Sequence, residues 1–116
     1  MAFMEGMFKK SDEVDIEEFL NNLEVHEENM YENADAYVKP FSLEKPEDTS
    51  IVIDEIRKGN IVLLNIENLS KRNAIKLREL ITYIRDAVDQ VDGDIARISQ
   101  DRVIVTPSRV KIVKRH

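Results

Sequence analysis

Asp54-Glu55-Ile56-Arg57-Lys58-Gly59-Asn60-Ile61-Val62-Leu63-Leu64-Asn65-Ile66-Glu67-Asn68-Leu69 is the stretch on which the fold turns. Arg57 and Lys58 followed by Gly59 are a helix ending: cations suit the negative end of the dipole, and glycine takes a terminating left-handed turn without a Cβ clash. The run from Ile61 to Ile66 is short, apolar and β-branched, which predicts a central strand buried on both faces. A helix feeding directly into a buried strand is the local signature of an α/β protein.

Upstream, Pro46-Glu47-Asp48-Thr49-Ser50 opens that helix, with proline near its first turn, acids at the positive end of the dipole and hydroxyls available as caps. Before it, Tyr37 to Leu43 reads as a strand, and Pro40 argues for an edge or a kinked position. Downstream, Ser70 is placed to cap the longest helix, in which Leu77, Leu80, Ile81, Ile84, Val88 and Val91 follow the i, i+3, i+4, i+7 template. Asp92-Gly93-Asp94 makes a turn, and Ile95–Ile98, Val103–Thr106 and Val110–Val113 read as three short strands. The expected order is βαβαβββ, a two-layer α/β sandwich of two helices on one face of a small mixed sheet. The other face needs a cover, and a second copy of the chain is the economical one, giving a dimer.

The 116 residues carry a net charge of −6, and this charge is segregated. Residues 1–10 are slightly basic. Residues 11–35 hold ten acids and no Lys or Arg. Residues 36–116 hold twelve acids against fifteen bases. The chain therefore divides into an N-terminal segment (1–10), an acidic flexible linker (11–35) and an α/β core (36–116). Within the linker, Val14, Ile16, Phe19, Leu20 and Leu23 have partial helical spacing, which leaves open a transient helix or a docking segment at residues 14–23.

The first segment holds five of the chain's eight Met and Phe residues. On a helix, Met1, Phe3, Met4, Met7 and Phe8 gather into an arc of roughly 160°, with Lys9 and Lys10 at the C-terminal end. This pattern points to an amphipathic helix lying on an anionic membrane surface, apolar side chains in the leaflet and lysines at the headgroups. Its bases follow the apolar residues, the wrong order for a secretory signal, and no apolar run approaches the ~20 residues of a spanning helix. The protein is expected in the cytoplasm, peripheral on the inner face of the cell membrane.

Catalytic chemistry has little to build on. Cysteine is absent, so thiolate metal sites and cysteine nucleophiles are excluded. His26 and His116 fall outside the expected elements, and Gly6, Gly59 and Gly93 are isolated, so no phosphate-cradling loop is present. No enzyme activity, metal or cofactor is expected. Lys71, Arg72, Lys76, Arg78 and Arg85 on the long helix, with Lys111, Lys114 and Arg115 near the end, raise a nucleic-acid-binding domain as an alternative. Glu79, Asp86 and Asp89 share that helix, and Tyr83 is its only aromatic, so nucleic acid is not the expected partner. A soluble ligand-sensing regulatory domain is the other alternative.

Read together, Asp54 to Leu69, the glycine-marked turn and strand Gly93-Asp94-Ile95-Ala96-Arg97-Ile98, the strand ending Thr106-Pro107 and the segment Val110-Lys111-Ile112 resemble the SepF family of cell-division proteins. The amphipathic start and acidic linker match that family's layout. The Lys/Glu-rich style is closer to archaeal members, and Ile84-Arg85-Asp86-Ala87 stands where bacterial members carry a small residue, often glycine. The resemblance implies a non-enzymatic adaptor of septum assembly. It would bind lipid through its N-terminal helix, form a homodimer through its core and hold the C-terminal peptide of FtsZ, the tubulin-like GTPase of the division ring. No FtsZ-contact residue is carried over, because no short motif marks that pocket.

Overall fold

The computed structural model describes residues 15–23 and 34–114, and its contacts divide the chain between Ala34 and Asp35. In the first unit, residues 15–22 form a helix, α1, inside the acidic segment. Ile16, Phe19, Leu20 and Leu23 share one face of it, and all four are exposed.

The second unit runs β1 (Val38–Ser42), α2 (Asp48–Arg57), β2 (Ile61–Asn65), α3 (Glu67–Arg72), α4 (Ala74–Gln90), β3 (Asp94–Ser99) and β4 (Arg102–Thr106). The four strands form one mixed sheet in the order β1-β2-β4-β3. β1 lies parallel to β2 at one edge, and β4 is antiparallel to both β2 and β3. Pro40 sits on the edge strand β1, as its missing N–H requires.

Alternation along the strands decides which face is core. Val62 and Leu64 of β2 and Val103 and Val105 of β4 point to the helices and are buried. They meet Val52 and Ile56 of α2, Leu69 of α3, and Leu80, Ile84 and Val88 of α4. Each such side chain contributes roughly 1.5–3 kcal/mol on burial. α2 is fixed at its start by Asp48, whose carboxylate accepts the backbone N–H groups of Glu44 and Lys45. It ends as expected at Gly59, which takes φ +93°.

Three expectations are corrected. The expected long helix capped by Ser70 is two helices: Ser70 lies inside α3, and Asn73 breaks the chain with φ −157° and ψ 86°. The Asn73 side chain then caps α4 by accepting the N–H of Lys76, a better local acceptor than a serine already committed to a helical turn. β2 is buried on one face only, since all the core helices lie on the same side: Ile61 and Leu63 are half-buried while Val62 and Leu64 are buried.

The third correction is at the C-terminus. Val110–Val113 form no strand, so the sheet has four strands and not five. Pro107 lacks a donor, and Arg109 takes a left-handed φ of +67°, which turns the chain out of strand geometry. Side chains hold the segment instead. Asp94 accepts the Ile112 backbone N–H at 2.9 Å and the Lys114 ammonium at 2.6 Å, while the Lys111 ammonium donates to the carbonyl and carboxylate of Asp92. Thr106, itself buried, donates its hydroxyl to the Val110 carbonyl.

The Lys114 ammonium first, and then the Ile112 N–H, hold the Asp94 carboxyl down at about 2, against an ordinary 3.8. Its folded value lies below its unfolded one, so the stabilisation is complete above pH 3.8 and is lost as pH falls through about 2. Asp94→Ala is therefore expected to lower stability by about 1–2 kcal/mol near neutral pH. The gap between the two melting curves should close between about pH 4 and pH 2. A gap independent of pH over that range would show that the carboxylate's charge is not what holds the tail.

Candidate functional site

Helix α4 packs on the sheet through Leu80, Ile84 and Val88, which are buried. Leu77 and Ile81, one turn apart, sit on the flank of this row and are only half-buried. They face the edge strand β3, whose helix-side residues are Ile95 and Arg97, paired in register with Val105 and Val103. The result is a groove of about 410 Å³ between α4 and β3. Leu77, Ile81, Ile95 and Val103 line it, together with Ile66, Ser70 and Ala74.

Arg78 lies on the α4 wall and Arg97 on the β3 wall. The Arg97 guanidinium donates to the carbonyls of Ser99 and Gln100, which fixes its position without neutralising it. Among the described residues neither arginine forms an ion pair, in contrast to Lys71, Arg72, Lys76, Lys111 and Lys114, each of which does. An apolar trough flanked by two uncompensated guanidiniums suits a short segment with apolar side chains and carboxylates. As an edge strand, β3 also presents backbone N–H and C=O groups along that wall.

A second groove of about 390 Å³ lies between α2 and α4. Asp54, Arg57 and Asp86 bring both signs of charge to its lining, so it lacks the single-sign, apolar character of the first. On the open face of the sheet, Pro40, Leu63, Ile104 and Ala96 are aligned across all four strands. Val38, beside this row, is 56% exposed. This is a continuous apolar stripe with no cover from the described residues of the core.

Met1, Phe3, Met4, Met7, Phe8, Lys9 and Lys10, the residues expected to contact a membrane, lie outside the described residues, as do His26 and His116. No described helix is long and apolar enough to cross a membrane. Among the described residues no group of His, Asp and Glu is placed to hold a metal ion.

The groove was not singled out from the sequence. Leu77 and Ile81 fit the core template, and nothing in helical periodicity separates a half-buried flank from a buried centre. Arg97 carried the available signal: it occupies an inward position in Ile95-Ala96-Arg97, where a purely structural strand would place an apolar residue.

The sequence profile described as "Cell division protein SepF" matches residues 38–112. A curated relative, "Cell division protein SepF" of Staphylococcus haemolyticus, is 28% identical over 65 residues, 56% of this chain and 32% of its own length. The chain thus spans about a third of the length of the curated relatives it matches. Among solved structures, a SepF-like protein from Archaeoglobus fulgidus is similar with a TM-score of 0.64 and 26% identity, over 69% of this chain and 95% of that one. The SepF of Methanobrevibacter smithii in complex with FtsZ-CTD shares the fold at a TM-score of 0.54 and 16% identity, over 68% and 99% of the two chains. With its βαβ-ααββ core and a family match over most of that core, the chain belongs to the SepF family of cell-division proteins.

Proposed function

We propose that this protein is a non-enzymatic adaptor that ties FtsZ filaments to the inner face of the cell membrane at the division site. The observation that carries this reading is the apolar groove between α4 and β3, flanked by Arg78 and Arg97. Its character matches an acidic, partly apolar peptide, and a fold relative is known in complex with FtsZ-CTD. The groove is the proposed seat of the FtsZ C-terminal peptide.

The other end of the tether is Met1, Phe3, Met4, Met7 and Phe8 with Lys9 and Lys10. A ten-residue interfacial helix binds lipid weakly, and pairing two of them in a dimer converts weak binding into useful avidity. The acidic residues 11–35 repel anionic lipid and space the core from the surface. Replacing Phe3 and Phe8 by Glu should leave the core's melting temperature unchanged and abolish co-sedimentation with anionic liposomes. Undiminished co-sedimentation of that variant refutes the anchor.

The apolar stripe Pro40-Leu63-Ile104-Ala96 is the proposed dimer face. A second copy offers a self-complementary surface for it, and burial of an aligned apolar row is a sufficient driving force. Leu63→Glu is expected to sediment as a folded monomer where the native chain sediments as a dimer. A Leu63→Glu dimer would move the interface elsewhere.

A further inference from the structure

α1 has a surface complementary to the groove. Ile16, Phe19, Leu20 and Leu23 span an arc of about 100° on this helix, and Asp15 and Glu17 flank the arc on its two sides. The groove repeats that arrangement in opposite charge: an apolar floor of Leu77, Ile81, Ile95 and Val103 between Arg78 on one wall and Arg97 on the other. The four apolar side chains of α1 are 48–64% exposed, an uncommon state for a four-residue apolar stripe. Among the described residues neither the Arg78 nor the Arg97 guanidinium forms an ion pair, so both are available to the carboxylates of an incoming helix.

We infer that α1 is a built-in competitor for the groove: the α1 of one chain docks in the α4–β3 groove of a second copy and keeps peptide out. This rests on the reading of the groove as the peptide site. An eight-residue helix is marginal by itself, so it gains its order on docking and holds the groove weakly. An array of peptides on a filament displaces it fully by avidity, whereas an isolated peptide displaces it only in part. The groove is thereby tuned to prefer filaments over single subunits.

The test uses the full chain and a fluorescein-labelled synthetic peptide of residues 13–25. Titrated with the full chain carrying Phe19→Glu and Leu20→Glu, whose own α1 cannot compete, the labelled peptide should show a saturable rise in anisotropy. The rise should vanish when Arg78→Glu and Arg97→Glu are added to that chain. The FtsZ C-terminal peptide should bind the native chain roughly threefold or more weakly than the Phe19→Glu/Leu20→Glu chain, because only part of the groove is free. That gap should widen as native chain concentration rises. Failure of the 13–25 peptide to bind overturns the inference, as does a gap that does not change with concentration. Equal binding of the FtsZ peptide by both chains overturns the competitor and leaves the groove's function standing. Binding of the 13–25 peptide with no binding of the FtsZ peptide overturns the FtsZ reading instead.

Discussion

Gly93→Ala is expected to cost about 3 kcal/mol, lowering the melting temperature by roughly 12–20 °C. A Cβ at this position would lie 2.3 Å from the Thr106 carbonyl oxygen, and 3.2 Å from both the Pro107 carbonyl oxygen and a Val88 methyl. The nearest atom belongs to the backbone of β4, so no rotamer change relieves the clash: the α4–β3 turn has to move away from the end of the sheet. That movement also disturbs Asp92 and Asp94, which hold the C-terminal segment. Gly59→Ala is the control. Its φ is +93°, but nothing lies within 4 Å of the added methyl, so only backbone strain of about 1 kcal/mol is expected. Thermal unfolding of the two variants side by side checks the contrast. Gly93→Ala melting no lower than Gly59→Ala would show that this turn is not packed as closely as described.

Charge reversal at both walls of the groove, Arg78→Glu with Arg97→Glu, is expected to weaken binding of the FtsZ C-terminal peptide at least tenfold, about 1.4 kcal/mol or more. Both side chains are exposed and neither forms an ion pair among the described residues, so the double variant should melt within a few degrees of the native chain. Two attractive contacts become two repulsive ones, and the apolar floor is left to bind alone. Native binding should weaken as salt rises, while residual binding by the variant should not. Arg57→Glu, in the α2–α4 groove, is the matched control and should leave affinity unchanged. Fluorescence anisotropy with a labelled peptide measures all three. Equal losses from Arg57→Glu and from the α4–β3 pair would mean that net charge, not this groove, captures the peptide.

Much of the fold was legible because local chemistry and tertiary need agree there. The Lys58-Gly59 step ends α2, and the α4 template of Leu80, Ile84 and Val88 is the buried row. Pro40 marks an edge strand, and the helices share one face of the sheet. Two of the misses share a cause, since each depends on a single polar side chain outranking periodicity. Asn73 interrupts an otherwise plausible helix because its side chain offers a cap three residues before Lys76. Asp94 satisfies the Ile112 N–H that a strand neighbour would otherwise take, so a β-branched segment stays out of the sheet. β2 misled for a different reason: an all-apolar run fits a doubly buried strand, but every core helix lies on one side, and Leu63 belongs to the open stripe proposed for a second copy, with Ile61 beside it.

The candidate site was less legible than the fold. A groove arises from what α4 fails to cover, and the position of a helix over a sheet edge is set by the whole core, not by a motif. Arg97 was present in the sequence as an inward-facing cation, but its meaning depends on Arg78 standing across from it. The N-terminal segment is the converse case. Its amphipathic pattern is plain in Met1 to Lys10 alone, but these residues lie outside the described ones, so the proposed membrane contact rests on sequence only.

As proposed, one chain joins a filament to a lipid surface through two separate parts. The direct measurement is vesicle flotation with polymerised FtsZ, anionic liposomes and the full chain. Filaments should float only when the native chain is present. Phe3→Glu with Phe8→Glu should leave both filament and protein at the bottom of the gradient, whereas Arg78→Glu with Arg97→Glu should let the protein float without filaments. Filaments that float equally well with either double variant would overturn the two-part tether.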